Sequence, residues 1–238
     1  MTNSFNKLNI ISWNAQSIRN KIVEFFEFLV GNSVDIACVS ETWLTINDKI
    51  SHPDYIIYRL DRANSSYGGV AIIVNKRIKH TLLPVLPTKL IETIGISVQV
   101  NNTSINILSV YFRGFSKTNN SKANQSQFKI DIRLLTSFQN SYFICGDLNS
   151  RHRTWNCNRA NSAGNLLYEC KQRFGFSIEY PNQHTHIPSS TRKSSFTIDL
   201  IITNCLHSFT QPYIDDNLAS DHISVRFEIY HDVTTANP

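Results

Sequence analysis

Short apolar stretches, several of them followed at once by a polar side chain, narrowly limit how this chain can fold. Residues 36–40 precede Glu41, and residues 143–146 precede Asp147. Stretches of this length suit buried β-strands, whereas a membrane-spanning helix needs ~18 consecutive apolar residues. The longest clean apolar run, residues 70–74, is far shorter than that. The sequence therefore predicts a protein rich in strands and without a membrane partner.

Three segments break the strand pattern with apolar residues at helical spacing. The predicted helices cover residues 19–30, 128–138 and 162–174, with a Ser- and Asn-rich loop at 116–127. The predicted strands cover residues 8–13, 34–40, 55–60, 70–75, 94–100, 105–112, 142–145, 197–203 and 223–230. Many strands with a few helices between them predict an α/β protein built on mixed sheets. No repeat or linker is apparent, which predicts one domain over residues 1–238 with its core at about 8–230.

The charge balance favours an anionic partner. The chain has 23 Lys and Arg against 18 Asp and Glu, a net charge of +5, and its pI is about 9.0. A basic surface suits nucleic acid first of all. The five cysteines form no CxxC pair, which argues against a disulfide framework and against a cysteine zinc site. They predict a reduced, intracellular protein.

The polar residues near the strand ends form a set whose members are individually ordinary. Alone, Asn14 or Glu41 would be a cap or a surface residue, and Tyr111 an amphipathic core residue. Asp199 differs, because it stands between two apolar residues and burial of an unpaired carboxylate is costly. His222 is the obvious candidate for its partner. The set consists of Asn14, Glu41, Tyr111, Asp147, Asn149, Asp199, Asp221 and His222.

Together these side chains suit the hydrolysis of a phosphate ester. Oxygen ligands such as Glu41 and Asp221 favour Mg²⁺ or Mn²⁺ over Zn²⁺. A bound Mg²⁺ can neutralise a phosphodiester and stabilise a leaving alkoxide. A carboxylate such as Asp147 can deprotonate an attacking water, and an Asp–His pair supplies an imidazolium for the charge on phosphorus. The residues thus predict metal-assisted hydrolysis.

Six short motifs follow one another in an order that a known superfamily shares. They are Trp13-Asn14, Ser40-Glu41-Thr42-Trp43, Tyr111, Gly146-Asp147-Leu148-Asn149, Ile198-Asp199-Leu200 and Ser220-Asp221-His222. In this order they resemble the exonuclease–endonuclease–phosphatase superfamily, which includes pancreatic deoxyribonuclease, apurinic endonucleases, sphingomyelinases and inositol polyphosphate phosphatases. The resemblance runs over about residues 8–227. It implies a four-layer α/β sandwich, in which two mixed β-sheets lie face to face with helices outside.

Within that superfamily the chain looks most like the endonuclease domain of jockey-like non-LTR (LINE-type) retrotransposons. The segments that carry this likeness are residues 58–62, 68–72, 146–155 and 194–200, together with Gly164. Domains of that group nick one strand of genomic DNA, and the freed 3′-hydroxyl primes reverse transcription. The resemblance therefore implies double-stranded DNA as the substrate, a place in a reverse transcriptase polyprotein and action in the nucleus.

The resemblance also implies a role for each position. Glu41 would be the main Mg²⁺ (or Mn²⁺) ligand, with Asn14 and Asp221 helping. Asp147 would activate the attacking water, and Asn149 would orient that water and the phosphate.

The remaining implied roles concern the phosphate. His222 would hydrogen-bond the scissile phosphate, Asp199 would hold the His222 tautomer, and Tyr111 would contact the phosphate or the leaving group. The sequence departs from the family pattern directly after Tyr111, where Phe112-Arg113-Gly114 replaces a proline-containing turn.

Basic loops supply candidate DNA contacts. The cluster Asn75-Lys76-Arg77 with Lys79 is interpreted as a solvated surface, whereas Arg151, His152, Arg153 and Arg159 follow Asp147 closely enough to favour phosphate contact. The DNA-binding candidates are Arg151, His152, Arg153, Trp155, Arg192 and Lys193, with Trp155 alternatively a packed aromatic. Residues 185–195 correspond to a hairpin that reads DNA shape in related nucleases, so they are predicted to select the nick site.

Two alternatives remain open on the sequence alone. One is a different phosphoesterase of the same superfamily, such as an abasic-site endonuclease or an inositol polyphosphate phosphatase. The other is a catalytically inactive binding domain, against which the intact set of polar residues argues.

Overall fold

A computed structural model describes residues 7–63, 67–100, 103–190, 192, 194–205 and 209–230. Its strands are β1 Lys7–Asn14, β2 Ile36–Ser40, β3 Tyr55–Leu60, β4 Val70–Asn75, β5 His80–Leu82, β6 Ile91–Val100, β7 Thr103–Phe112, β8 Ser141–Asp147, β9 Ser177–Glu179, β10 Asp199–Thr203, β11 Tyr213–Asp215 and β12 Ser224–Tyr230. Its α-helices are α1 Ile22–Gly31, α2 Lys122–Leu135 and α3 Ser162–Phe174, and short 3₁₀ turns cover Arg19–Lys21 and Arg153–Trp155.

The strands form two mixed sheets of six strands each. The first sheet has the order β11-β12-β1-β2-β4-β3, and the second has the order β5-β6-β7-β8-β10-β9. In each sheet one central pair is parallel, β1 with β2 and β7 with β8, and the other pairs are antiparallel. A parallel pair needs a long crossover connection, and helices α1 and α2 lie in these two connections.

Alternating side chains place the two sheets face to face. Along β1, Ile10 points into a buried cluster shared by both sheets, and Ile11 points into a second cluster with helix α1. Along β8, Phe143 joins the shared cluster, and Ile144 packs with helices α2 and α3. Because strand side chains alternate between faces, this pattern sets four layers: helix α1, two sheets, and helices α2 and α3. The predicted α/β sandwich is confirmed.

The predicted elements differ from the observed ones mainly at their ends. Helix α2 begins at Lys122, six residues before its predicted start at residue 128, because Ser121 caps it by accepting a hydrogen bond from Asn124 N. Strand β8 continues through Asp147 rather than ending at residue 145. Strand β10 begins at Asp199, so Asp199 lies at a strand end and not in mid-strand as predicted. The three-residue strands β5, β9 and β11 were absent from the prediction.

Gly146 is required where strands β7 and β8 approach each other. Its φ is +153°, and a Cβ atom at this position would lie 2.0 Å from the carbonyl oxygen of Val110. Only glycine tolerates such an approach of backbone to backbone. The close contact brings the end of β8, and with it Asp147, beside Tyr111.

No α-helix of the described residues is long and apolar enough to cross a membrane.

Candidate active site

The predicted site residues converge at one edge of the two sheets because of strand direction. In the second sheet, Asp147 is paired with Tyr111 on parallel β7 and with Asp199 on antiparallel β10. The C-terminal ends of β7 and β8 therefore meet the N-terminal end of β10. In the first sheet, Asn14 ends β1 beside the end of parallel β2, and Glu41 follows β2 directly.

The backbone around these residues is strained. Glu41 and Asn149 have φ values of +50° and +46°, and Gln16, Ser17 and Trp43 are also in the left-handed region. Residues other than glycine seldom adopt this conformation, and each instance costs of order 1–3 kcal/mol. Five of the seven such non-glycine residues in the described chain lie in the loops after β1, β2 and β8. Concentrated strain of this kind is typical of functional sites.

Asp147 is the buried centre of the site. Its Oδ2 accepts hydrogen bonds from Asn14 Nδ2 at 2.9 Å and from Asn149 Nδ2 at 3.1 Å, and its Oδ1 accepts one from Asn149 N at 2.7 Å. Burial raises the pKa of Asp147 to about 8, although His222 opposes this rise, and the carboxylates of Asp199 and Glu41 add to it. A carboxylate with a raised pKa can accept a proton near neutral pH.

His222 is held by Asp199, as the sequence suggested. Its Nδ1 donates to Asp199 Oδ2 at 2.9 Å, which leaves Nε2 3.9 Å from an oxygen of Asp147. Burial lowers the pKa of His222, but Asp199, Asp147 and Asp221 outweigh burial and raise it to about 9. The ring is therefore an imidazolium at neutral pH, and its Nε2–H can donate to an anion.

Tyr111 lies beside the carboxylates at the inner wall of the site. Burial, followed by the charges of Glu41 and Asp147, raises the pKa of Tyr111 well above its ordinary value. The hydroxyl therefore stays protonated and can donate a hydrogen bond. The guanidinium carbon of Arg62 lies 5.8 Å from the centre of the Tyr111 ring. The unusual turn after Tyr111 also supports the site, because the carbonyl of Phe112 accepts a hydrogen bond from Asn149 Nδ2 at 3.0 Å.

The carboxylate of Glu41 is oriented by two side chains. Asn14 Nδ2 donates to Glu41 Oε1 at 3.2 Å, and Trp43 Nε1 donates to Glu41 Oε2 at 2.9 Å. Asn14 thus meets the carboxylates through its amide nitrogen, which cannot bind a cation, while its Oδ1 accepts from Gln16 N. In this arrangement Asn14 positions Glu41 and Asp147, and the predicted metal-ligand role would need the opposite orientation of the amide.

The residues present fit a Mg²⁺ ion held by few protein ligands. In the described chain, two groups of three His, Cys, Asp or Glu ligand atoms lie within 4.8 Å of one another, and neither contains Glu41. Asp221 belongs to a group with His186 and His222, so the structure does not unite Asp221 with Glu41 in one such group. Mg²⁺ is commonly bound through one or two carboxylates, with water and substrate phosphate completing its coordination. A single oriented carboxylate beside buried Asp147 meets that description.

The two aromatic DNA-contact candidates of this loop differ in burial. Trp155 is fully buried, and its Nε1 donates to the carbonyl of Ser150 at 2.9 Å. The prediction that it touches DNA is wrong, because an indole enclosed by the core under this loop cannot reach a ligand. The His152 ring stacks on Tyr168 with 4.5 Å between ring centres, and its Nδ1 accepts from Thr154 N. The packing interpretation therefore holds for Trp155, while the DNA contact of the half-buried His152 stays a prediction.

The basic residues of this loop differ in their surroundings. The Arg151 guanidinium stacks on Phe196 at 4.4 Å, and burial together with nearby Arg159 lowers the pKa of Arg151. Arg153 and Arg192 are exposed. Lys193, the remaining predicted contact, lies outside the described residues. Lys76, Arg77 and Lys79 of the first basic cluster are exposed, as the solvated interpretation expects, and Arg77 also pairs with Asp35.

Residues 186–196, before β10, are joined by backbone hydrogen bonds to the sheet edge where the predicted site residues converge. His186 N donates to Phe196 O at 2.9 Å, and Phe196 N donates back to His186 O, which closes a hairpin over the residues between them. His186 also forms an isolated bridge with His222. The base of this hairpin therefore lies directly beside His222.

Sequence reasoning missed two residues at this edge. Trp43 orients Glu41. Its position in the motif Ser40-Glu41-Thr42-Trp43, two residues after Glu41, could have indicated this role. His186 Nε2 lies 3.5 Å from Asp221 Oδ2, and its ring centre lies 4.7 Å from that of His222. No spacing in the sequence relates His186 to residues 221–222, because the contact is tertiary.

Curated relatives of the chain are polymerases of mobile elements. The chain is 27% identical over 240 residues to a probable RNA-directed DNA polymerase from transposon BS of Drosophila melanogaster, covering 98% of this chain and 25% of that protein. It is 22% identical to the RNA-directed DNA polymerase from mobile element jockey of the same organism, covering 92% and 23%. The chain thus spans about a quarter of the length of the curated relatives it matches.

Solved structures share the fold. The endonuclease domain of TRAS1, a telomere-specific non-LTR retrotransposon, superposes with a TM-score of 0.73 at 16% identity, covering 94% of this chain and 99% of that one. The catalytic domain of Xenopus laevis APE2 gives a TM-score of 0.71 at 18% identity, covering 94% of each chain. Residues 11–222 match the endonuclease/exonuclease/phosphatase family. Since this match takes in most of the chain and every candidate catalytic residue, the protein belongs to the endonuclease/exonuclease/phosphatase family.

Proposed function

We propose that the chain is a Mg²⁺-dependent endonuclease that nicks one strand of double-stranded DNA and leaves a 3′-hydroxyl. The observation that carries the proposal is the arrangement of two groups with opposite proton roles. Asp147 is a buried carboxylate with a raised pKa, and His222 is an imidazolium 3.9 Å away that Asp199 holds in place. Such a pair suits a reaction in which one group removes a proton and the other stabilises negative charge.

In this proposal Asp147 accepts the proton of the attacking water. Asn149 orients that water, since its amide is fixed between Asp147 and the carbonyl of Phe112. His222 donates its Nε2 proton to an oxygen of the scissile phosphate. Tyr111, kept neutral by burial and by Glu41 and Asp147, donates to the phosphate or the leaving oxygen. Each donor is fixed before substrate arrives, which lowers the reorganisation cost of the reaction.

Glu41 would hold the Mg²⁺ ion, with Asn14 positioning its carboxylate. The ion, when bound, neutralises charge on the phosphodiester and on the leaving alkoxide. Mn²⁺ favours the same oxygen ligands.

The biological setting is part of the same proposal. The relatives are polymerases of mobile elements, and the chain matches about a quarter of their length. We infer that residues 1–238 form one endonuclease domain of a reverse transcriptase polyprotein of a non-LTR retrotransposon. Its nick in genomic DNA, made in the nucleus, would provide the primer for reverse transcription. The exposed Arg153 and Arg192 are suited to contact the DNA backbone.

The test is nicking of supercoiled plasmid by the wild type, Asp147→Asn and His222→Ala, each with Mg²⁺ or with EDTA. We expect open circles from the wild type with Mg²⁺ alone, and a loss of at least about 100-fold in each variant because a proton-transfer group is removed. Asp54→Asn, which alters an exposed carboxylate in the loop before β3, is the control and should nick like the wild type. Extension of the nicked circles by a DNA polymerase, without phosphatase treatment, reports the 3′-hydroxyl.

Two outcomes would overturn the proposal. Nicking that survives in EDTA or in Asp147→Asn would exclude this site, and a folded wild type that leaves plasmid intact would exclude nicking of ordinary DNA. In the second case, cleavage of an abasic-site duplex or release of phosphate from an inositol polyphosphate would identify the alternative phosphoesterase.

A further inference from the structure

His186 is a partly buried histidine beside the catalytic residues, and the proposed mechanism gives it no role. Its Nε2 lies 3.5 Å from Asp221 Oδ2, and its ring centre lies 4.7 Å from that of His222. His222 Nε2 lies 3.9 Å from Asp221 Oδ1. One ligand atom from each of the three residues lies within 4.8 Å of the other two. Ligands of a tetrahedral ion with bonds of about 2.0–2.1 Å stand about 3.3–3.4 Å apart, close to the 3.5 Å between His186 Nε2 and Asp221 Oδ2.

Two buried polar atoms of this group lack a hydrogen bond within the described chain. Asp221 Oδ1 and His186 Nδ1 are buried, and neither makes a hydrogen bond to any described residue. Buried polar atoms normally have a partner, because losing water without replacement is costly. A cation held by the Asp221 carboxylate would compensate that loss directly.

Once its Nε2 proton is displaced, His222 is arranged as a metal ligand. It donates Nδ1–H to Asp199 Oδ2 at 2.9 Å and directs Nε2 toward Asp221. Histidines that bind zinc commonly donate their second ring N–H to a carboxylate in this way, which fixes the tautomer and strengthens the bond to the metal. The backbone holds the third ligand in place, since His186 bridges His222 and Ile187 N donates to Asp221 O at 2.8 Å.

The chemistry of this group differs from that of the proposed Mg²⁺ site. Two imidazoles and one carboxylate suit Zn²⁺, with a fourth position left for water. Glu41, the proposed Mg²⁺ ligand, belongs to no ligand group with these residues. A zinc ion on His222 Nε2 would also release to solvent the proton that the proposed reaction donates to phosphate.

We propose that His186, Asp221 and His222 form a zinc site that inhibits the nuclease by occupying His222. The inhibition rests on the proposed function, whereas zinc binding does not. The two parts are therefore tested separately, on the whole chain.

The binding test is calorimetric titration of Zn²⁺ into the wild type, His186→Gln and His184→Gln. His184 is the matched control, because it is two residues away and its Nδ1 faces Thr197 instead of the group. We expect one high-affinity ion per chain in the wild type and in His184→Gln, and affinity weaker by at least about 100-fold in His186→Gln. X-ray absorption of the zinc-loaded wild type should show two imidazole nitrogens, a result that does not depend on the folding of any variant.

The inhibition test is plasmid nicking with excess Mg²⁺, with and without Zn²⁺, each variant compared with its own rate in Mg²⁺ alone. Zinc should inhibit the wild type and His184→Gln, and at least about 100-fold more Zn²⁺ should be needed for His186→Gln. Undiminished zinc affinity in His186→Gln, or one imidazole in the absorption spectrum, would place zinc at Asp147, Asp199 and His222 and overturn the proposal. Zinc bound as described by a protein that nicks nothing would contradict the nuclease and leave the zinc site standing.

Discussion

Among its neighbours, Asp199 contributes most to keeping His222 protonated. Burial lowers the pKa of His222, but Asp199, which accepts from Nδ1, outweighs that cost together with Asp147 and Asp221 and raises the pKa from the ordinary value of 6.5 to about 9. A raised pKa means that the charged ring stabilises the fold. That contribution is fully present below pH 6.5 and is lost as the pH rises through about 9.

Replacement of Asp199 should therefore lower the pKa of His222. In Asp199→Asn we expect the pKa of His222 to fall by ~1–3. The free energy of unfolding should then decrease less between pH 6.5 and 9 than it does in the wild type. NMR titration of the histidine ring protons in EDTA measures the pKa directly. The resonance can be assigned by its absence in His222→Ala.

The control for this titration is Asp215→Asn, which removes a carboxylate paired with Arg226. It should leave the His222 titration unchanged. An unaltered pKa in Asp199→Asn would mean that Asp147 and Asp221 alone keep the ring charged, and would remove the role proposed for Asp199.

The hairpin closed by His186 and Phe196 adjoins the edge that holds the candidate site residues. Its base bridges His222, and its exposed residues include Ile187 and Arg192. Exposed loops on a rigid scaffold commonly carry specificity. If the protein is the proposed nuclease, the hairpin would influence where the DNA is cut and would contribute no proton to the reaction.

Exchange of residues 187–195 for the corresponding loop of a related retrotransposon nuclease should move the preferred nick positions. Residues 186 and 196 are kept, so that the bridge to His222 survives. Mapping of nicks on a labelled duplex measures the preference, and the total nicking rate is the control for an intact site. A cleavage pattern identical to that of the wild type would exclude the hairpin as the selector.

Considered as a whole, the molecule places four carboxylates at one edge of two packed sheets. They are Glu41, Asp147, Asp199 and Asp221. Mutual repulsion and burial of these negative charges at such an edge destabilise the folded state. The raised pKa of Asp147, due mainly to burial, has the same cause. A cation that binds only the folded protein should stabilise it.

Addition of Mg²⁺ should accordingly raise the unfolding temperature. At a concentration 100 times the Kd, the gain is about 2.7 kcal/mol, which corresponds to ~5–10 °C for a chain of this size. Differential scanning calorimetry with Mg²⁺ and with EDTA measures the shift. Glu41→Gln, which keeps the shape of the side chain, should lose most of it, and an equal shift in both proteins would show that Mg²⁺ binds elsewhere.

Local signals determined much of what the sequence predicted correctly. Helix α3 begins and ends as predicted, since Asn161 caps its start and Gly175 ends it in a left-handed conformation. Both signals act within a few residues, so they are legible in the chain itself. The same is true of the polar residues after β1, β2 and β8, which mark the edge where the site forms.

Tertiary structure alone decided which of those polar residues meet. Asn14 donates to Asp147 across 133 residues of sequence, and His186 reaches Asp221 only because the hairpin folds back along the edge. Burial of Trp155 and the pairing of the three-residue strands likewise depend on packing between distant elements. Local sequence determined the longer strands and the chemistry at their ends, because those follow from short-range periodicity. The contacts that shift the pKa values of Asp147 and His222 form only in the assembled sheets. A pKa depends on neighbours in space, and here those neighbours are distant in sequence.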